Sequence, residues 1–192
     1  MVSPRVWYLI LLYFTVAFCA NAGGLYLPEL IRNRFTESSK FQIGLLAAVP
    51  SMCGAIGMLL NGSWSDSTRK YRLHVGLPAL MGAGGWLLAA LTDSPPWAVV
   101  GLSMAFTGVM SMLPAFWSLP TSFLSGAAAA GGIALINSVG NIGGLLGPGT
   151  VGMFHDATGS HLQGMLALAG MLVLSGTMAL FAPHDPQDQI AI

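Results

Sequence analysis

The stretch VWYLILLYFTVAFCANAGGLYL, Val6 to Leu27, runs for twenty-two residues without a charged side chain. An α-helix rises ~1.5 Å per residue, so a run of this length crosses the ~30 Å hydrocarbon core of a bilayer. Five further apolar runs follow: Phe41–Leu60, Val75–Leu91, Trp97–Trp117, Gly126–Gly147 and Gln163–Ala182. The reading is an all-α membrane protein, one domain over residues 1–192 with six transmembrane helices. Composition agrees, because 54% of the 192 residues are hydrophobic and only 7% charged, with a mean hydropathy of +0.71, outside the range of soluble domains.

The start of the chain imitates a secretory leader, since Arg5, an apolar run and Ala20-Asn21-Ala22 resemble a cleavage signal. The apolar character continues through Gly-Gly-Leu-Tyr-Leu-Pro, which suits a full span instead. The connections RNRFTESSK, NGSWSDSTRKYRLH, TDSPP, SLPTS and MFHDATGSH carry nearly all the charge. They are short, so neighbouring helices should run antiparallel in one bundle. Pro28, Pro114, Pro120 and Pro148 are expected at or near span ends, where a missing N–H is least costly. Arg5, Arg69, Lys70 and Arg72 fall on one side and Arg32, Arg34 and Lys40 on the other. That balance leaves the orientation nearly undecided by charge alone.

Gly54, Gly57, Gly62 and Asp66 recur ninety positions later as Gly144, Gly147, Gly152 and Asp156. The pattern fits two three-helix units of inverted topology, although a chain with twenty-five glycines can produce such spacing by chance. In the loop between the second and third spans, Gly62 is expected to permit a tight turn. Asp66 is expected to cap or pair with the next helix's amino end. The basic residues Arg69, Lys70 and Arg72 can face an anionic leaflet.

Asn137 and Asn141 stand four apart and form one stripe of the fifth span with Gly144 and Pro148. They serve either as interhelical glue or as the lining of an aqueous cavity that hydrogen-bonds a polar solute. The glycine pairs Gly140/Gly144 and Gly143/Gly147 permit close helix approach. Asn21, Tyr26, Trp117 and Ser118 are further polar or amphipathic side chains able to converge on such a cavity, with interfacial anchoring as the plain alternative for Trp and Tyr.

None of the six apolar runs contains Asp, Glu, Lys or Arg well inside it, so no ion-coupling group is evident in this chain. Zero net charge gives no reason to expect a nucleic-acid partner. Cys19 and Cys53 lie in apolar runs as packing residues. There is no H-E-x-x-H, P-loop or G-x-S-x-G motif, and neither an enzyme nor a cofactor is expected. His155, Asp156 and His161 are expected to be solvated loop residues, with no metal bound.

GLYLPELIR, IGLLAAVPSMCGAI, GSWSDSTRKYRLHV and PAFWSLPTSFLSGAAAAGGIALINSVGNIGG resemble, in order, the seventh to eleventh helices of major facilitator superfamily transporters. The branch they resemble is the anion:cation symporters of organic acids such as phthalate, tartrate and galactonate. The resemblance covers essentially the whole chain and implies the carboxyl-terminal half of a twelve-helix fold whose two halves rock around a midplane site. It implies proton-coupled transport of a small organic anion in the plasma membrane, with both termini cytoplasmic. Ser118 and Asn141 match positions that hydrogen-bond substrate, and Gly62 to Arg72 matches the cytoplasmic gating loop, with Ser67 where a basic residue is usual. The first six helices of the family have no counterpart here. The expected partners are therefore the anion, membrane lipid, and either a missing amino-terminal half or a second copy. The alternative is a non-transporting scaffold or an inactive truncated remnant.

Overall fold

The structure, a computed structural model, describes residues 4–182. Its elements are α1 (Pro4–Arg34), α2 (Lys40–Thr68), α3 (Tyr71–Leu91), α4 (Pro95–Phe123), α5 (Gly126–Gly140), α6 (Ile142–Thr158) and α7 (Leu162–Leu180). There are no strands among the described residues. Six segments are long and apolar enough to cross a membrane, with α5 and α6 contributing one of them, Ala129–Thr158. Helices suit this composition because lipid offers no hydrogen bonds, so each backbone group must find its partner inside its own segment.

The helices overrun the apolar runs and so relocate several residues. Pro28, Pro114, Pro120 and Pro148 all lie inside helices, as do Pro50 and Pro78. Each removes one N–H from the ladder. At Pro78 the consequence is visible: the His74 carbonyl, one turn earlier, accepts from Asn61 Nδ2 at 2.8 Å instead. The fifth span departs from regular geometry only locally, at Asn141 between α5 and α6: its backbone stays right-handed helical (φ −65°, ψ −11°), its N–H donates to the Asn137 carbonyl at 3.0 Å, and its carbonyl accepts from Leu145 N at 3.3 Å.

Gly62 makes no turn. It is buried in α2, where a Cβ would stand 3.3 Å from Pro114. Asp66 does not cap α3; it is exposed in the last turns of α2, and the N-cap of α3 is Lys70, with no side-chain cap bond. The turn is made by Arg69, whose φ of 55° places it in the left-handed region. The other ends follow familiar capping chemistry. Ser39 and Gln42 form a reciprocal capping box at the start of α2, and Arg34 donates to the Ala89 carbonyl at the end of α3, 3.1 Å away.

Packing is built on glycine. Between α3 and α4, a Cβ on Gly85 would lie 2.4 Å from the Ala105 nitrogen, and one on Gly108 2.5 Å from the Pro78 carbonyl. Backbones meet directly there, the close approach through which membrane helices gain dispersion energy. Trp86, Phe116, Leu12 and Leu172 are fully buried within the bundle. Two seams flank it. Gly54 and Gly57 of α2 face Phe106, Met110, Thr107 and Ser111 of α4, while Gly144 and Gly147 of α6 face Ala17, Asn21 and Phe18 of α1. The glycines are ninety residues apart, and the residues they meet are offset by eighty-nine. In both seams the numbering rises together, so α2 runs parallel to α4 and α6 to α1.

The six membrane-length segments differ in cover. Over the most apolar window, 56% of α1 and α4 is buried, but only 17% of α2 and of the α5–α6 segment. Large apolar side chains stand outward on these two, among them Phe41, Leu59 and Leu60 on α2 and Leu145 and Met153 on α6.

Candidate functional site

On α1, Tyr13, Ala17 and Asn21 are spaced four apart and share one side of the helix. Tyr13 lies against Gly140, where a Cβ would approach its ring to 2.5 Å. Its ring stacks on Phe116 of α4 at 5.1 Å and meets Trp117 at 4.9 Å, tilted 60°. Aromatic contacts of this kind fix ring position at distances of 4.5–7 Å. Asn141 follows Gly140 directly, so the helix end that carries this amide lies on the Tyr13 ring. The end of α5 thus meets α1 and α4 in one cluster of phenol, indole and amide.

The amides can be counted. Asn141 Nδ2 donates to the Asn137 carbonyl at 2.8 Å and to Asn137 Oδ1 at 2.9 Å, which uses both its N–H groups and leaves its Oδ1 as an acceptor. Asn137 Nδ2 retains its donors, since only its oxygens are engaged in these bonds. Asn21 Nδ2 donates to the Ala17 carbonyl at 2.9 Å and packs on Gly144. Asn21, Asn137 and Asn141 are all exposed. Three amides therefore present neutral donors and acceptors on an outer side of a membrane-length bundle.

The sequence-derived residues divide accordingly. The structure brings Asn137, Asn141 and Trp117 together through Tyr13, and puts Asn21 next along the same seam. Tyr26 lies further on, its hydroxyl donating to the Pro148 carbonyl at 3.3 Å beside Gly152. Ser118 donates back to the Pro114 carbonyl at 3.2 Å, within its own helix. Tyr13 was not among the sequence candidates. Its four-residue spacing from Ala17 and Asn21 was the signal available.

The expected gating loop is largely helical. Arg69 and Lys70 form the turn between α2 and α3, and Arg72 lies in the first turn of α3. Beneath it, Asn61 Nδ2 donates to the carbonyls of His74 and of Ser111 at 2.8 and 2.7 Å, and Asn61 Oδ1 lies 2.7 Å from His74 Nδ1. With both Asn61 N–H groups spent, its oxygen must accept, so His74 carries a proton on Nδ1. His74 Nε2 then meets the Thr68 hydroxyl at 2.8 Å. This network joins α2, α3 and α4, and the sequence reading assigned Asn61 no role.

A correction concerns the turn between α6 and α7. His155 and His161 are not solvated loop residues. His155 belongs to the last turn of α6, and His161 is 9% exposed at the N-cap of α7. Their rings stack at 4.1 Å with an interplanar angle of 8°, and Glu29 of α1 approaches His161 Nε2 to 3.8 Å. Burial, then the neighbouring His155, lowers the His161 pKa from its ordinary value, with Glu29 acting in the opposite sense. Asp156 is exposed.

Comparison with known proteins adds the family. The profile described as Major Facilitator Superfamily matches residues 1–148. A protein of Agrobacterium vitis named as a tartrate transporter is 36% identical over 176 residues, covering 92% of this chain and 39% of that protein. A Pseudomonas putida protein named as the metabolite transport protein NicT is 36% identical over 180 residues, 93% of this chain and 41% of its own. An Acinetobacter baumannii protein named as a quinolone resistance transporter is 36% identical over 167 residues, 87% and 38% respectively. The chain spans about two fifths of the length of these relatives.

Proposed function

We propose, from the premise that this chain belongs to the Major Facilitator Superfamily, that it forms one six-helix wall of a secondary transporter for a small organic anion. The observation that carries the reading is the exposure of Asn137, Asn141 and Asn21 along the seam where α5 and α6 pack on Tyr13 and Asn21 of α1. Exposed amides facing hydrocarbon are costly, whereas amides lining a polar pathway hydrogen-bond its solute. Relatives named for tartrate and metabolite transport support a carboxylate or sugar acid as that solute.

The donor set also sets a limit. Neutral amide, phenol and indole groups can orient a carboxylate but cannot neutralise it, and a charge removed from water needs an ionic partner. The described apolar runs supply none, so the cation and any proton-coupling group come from a second six-helix unit. We place that unit against the outward sides of α2 and of α5–α6, where the least surface is covered within the bundle. Asn141, Asn137, Asn21 and Trp117 are the binding residues in this reading, with Ser118 and Tyr26 in supporting positions. The turn at Arg69 and Lys70, with Gly62, Asp66 and Arg72 around it, is the gating element. It faces the cytoplasm with both termini, and the protein sits in the plasma membrane.

The test is a chimaera in which this chain replaces the matching part of the Agrobacterium vitis relative, assayed for labelled tartrate uptake in membrane vesicles. Replacing Asn137 or Asn141 by Ala should weaken apparent affinity about two- to tenfold, equivalent to one net hydrogen bond of ~0.5–1.5 kcal/mol, without reducing membrane insertion. Uptake unchanged in both variants would place the amides in helix packing. That is the alternative of a non-transporting scaffold, and it draws on the bonds Asn141 and Asn21 make within their own helices.

A further inference from the structure

We infer that Glu29, His155 and His161 form a site for a divalent transition-metal ion of the zinc class, at the end of the bundle opposite the amino terminus. Three elements deliver the ligands: the final turns of α1, the last turn of α6 and the N-cap of α7. The tight turn at Gly159, φ 66°, folds the second histidine back over the first. The candidate ligand atoms of the three residues all lie within 4.8 Å of one another.

The second observation is the condition of the histidines. His161 is more than nine-tenths buried, and neither ring nitrogen has a hydrogen-bond partner. His155 Nδ1 is likewise buried and unpartnered. Buried imidazole nitrogens are ordinarily paired, and three unpaired ones at a single corner call for an explanation. An ion that accepts one lone pair from each ring accounts for two of them, and the rings, stacked within 8° of parallel, turn to bring both lone pairs onto it. Glu29 Oε1 stands 3.8 Å from His161 Nε2, too far for a hydrogen bond. Two ligands of a tetrahedral zinc ion, with bonds of ~2.0–2.2 Å, stand roughly 3.4 Å apart, so this pair needs to close by only a few tenths of an ångström.

The donor chemistry selects the ion. Two imidazoles and one carboxylate suit zinc, nickel, cobalt or copper(II), whereas magnesium and calcium prefer oxygen alone. Arg32, 3.5 Å from Glu29 and itself exposed, is the one competing cation near the carboxylate among the described residues. Three protein ligands leave a fourth position open. An ion here ties the end of α1 to the α6–α7 turn, beyond Tyr26 at the outer end of the seam that carries the amide cluster; the Tyr26 and His161 rings are 6.2 Å apart.

The experiment uses the full chain with a histidine-free affinity tag, purified in detergent in a His184→Ala background. Zinc is titrated calorimetrically, cobalt(II) by visible absorption, and magnesium serves as the control. We expect one zinc per chain, a tetrahedral cobalt band, and no magnesium binding. His155→Ala and His161→Ala should each weaken zinc binding at least about tenfold, the lower end of the loss seen even for outer-sphere partners, and Glu29→Gln should weaken it less. No zinc binding by the parent chain, or unchanged affinity in both histidine variants, overturns the site. If those variants fail to fold, the cobalt spectrum of the parent decides, and a spectrum without tetrahedral bands refutes the proposal.

Discussion

Gly143→Ala tests whether the α1–α6 seam is a true backbone contact. A Cβ at Gly143 would stand 2.2 Å from the Phe14 carbonyl oxygen and 2.9 Å from its carbon. Neither atom can rotate away, so the helices must part by about 1 Å to restore ordinary contact distances, and a gap of that size forfeits a quarter to a half of each dispersion contact along the seam. Overpacking of this kind costs ~1–3 kcal/mol. Alanine recovers up to about 1 kcal/mol of helix propensity, and a control must remove that gain. Gly149, in the same helix, has nothing within 4 Å of its added Cβ, so Gly149→Ala carries the propensity gain without the clash. Thermal unfolding in detergent, followed by the helical circular dichroism signal, should place Gly143→Ala below Gly149→Ala. The expected gap is about 5 °C, at roughly 2–4 °C per kcal/mol for a chain of this size. Equal midpoints would refute the close approach, and with it the placement of Asn21 and Tyr13 against α5 and α6.

Tyr13→Phe keeps the stacking on Phe116 and removes only the hydroxyl. In the tartrate chimaera it should weaken apparent affinity about two- to tenfold with an unchanged thermal midpoint, and full affinity would remove Tyr13 from the site. Asn61→Leu strands the carbonyl left free by Pro78 and the His74 Nδ1 proton, so it should destabilise the chain by about 1–3 kcal/mol; an unaltered midpoint would mean that the network carries no stability. Arg69→Gly relieves the left-handed backbone at the α2–α3 turn and should stabilise by about 1 kcal/mol, read as a rise in the same unfolding midpoint, whereas a fall would show that the arginine side chain outweighs the backbone gain.

The number of membrane-length segments was legible because lipid imposes a length and a composition that six runs satisfy. Ends were not legible, since polar residues such as Arg32, Arg34 and Asp66 sit in helices that continue past the hydrocarbon boundary, where hydropathy has no opinion on the backbone. The local irregularity at Asn141 left no strong mark either, as neither Gly140 nor Asn141 forbids helix continuation. Within the site, Asn137 and Asn141 stood out because amides in an apolar run are rare. Tyr13 did not, because a tyrosine in a span reads equally as packing. The histidine corner was misread for a related reason: MFHDATGSH looks polar, but burial of His161 depends on α1 passing nearby with Glu29, a contact that local sequence cannot encode.

The paired seams have a consequence for how the two membrane surfaces are treated. Three crossings separate α1 from α4, so the twin of the α1–α6 groove, the α2–α4 groove, points toward the opposite compartment. The chain thus contains an experiment and its control. The same glycine contact is offered once to each side of the bilayer, but an amide packs on the glycine in only one copy, since Met110 stands where Asn21 has its counterpart. At that one position the two faces of the bilayer meet different chemistry on an otherwise matching frame.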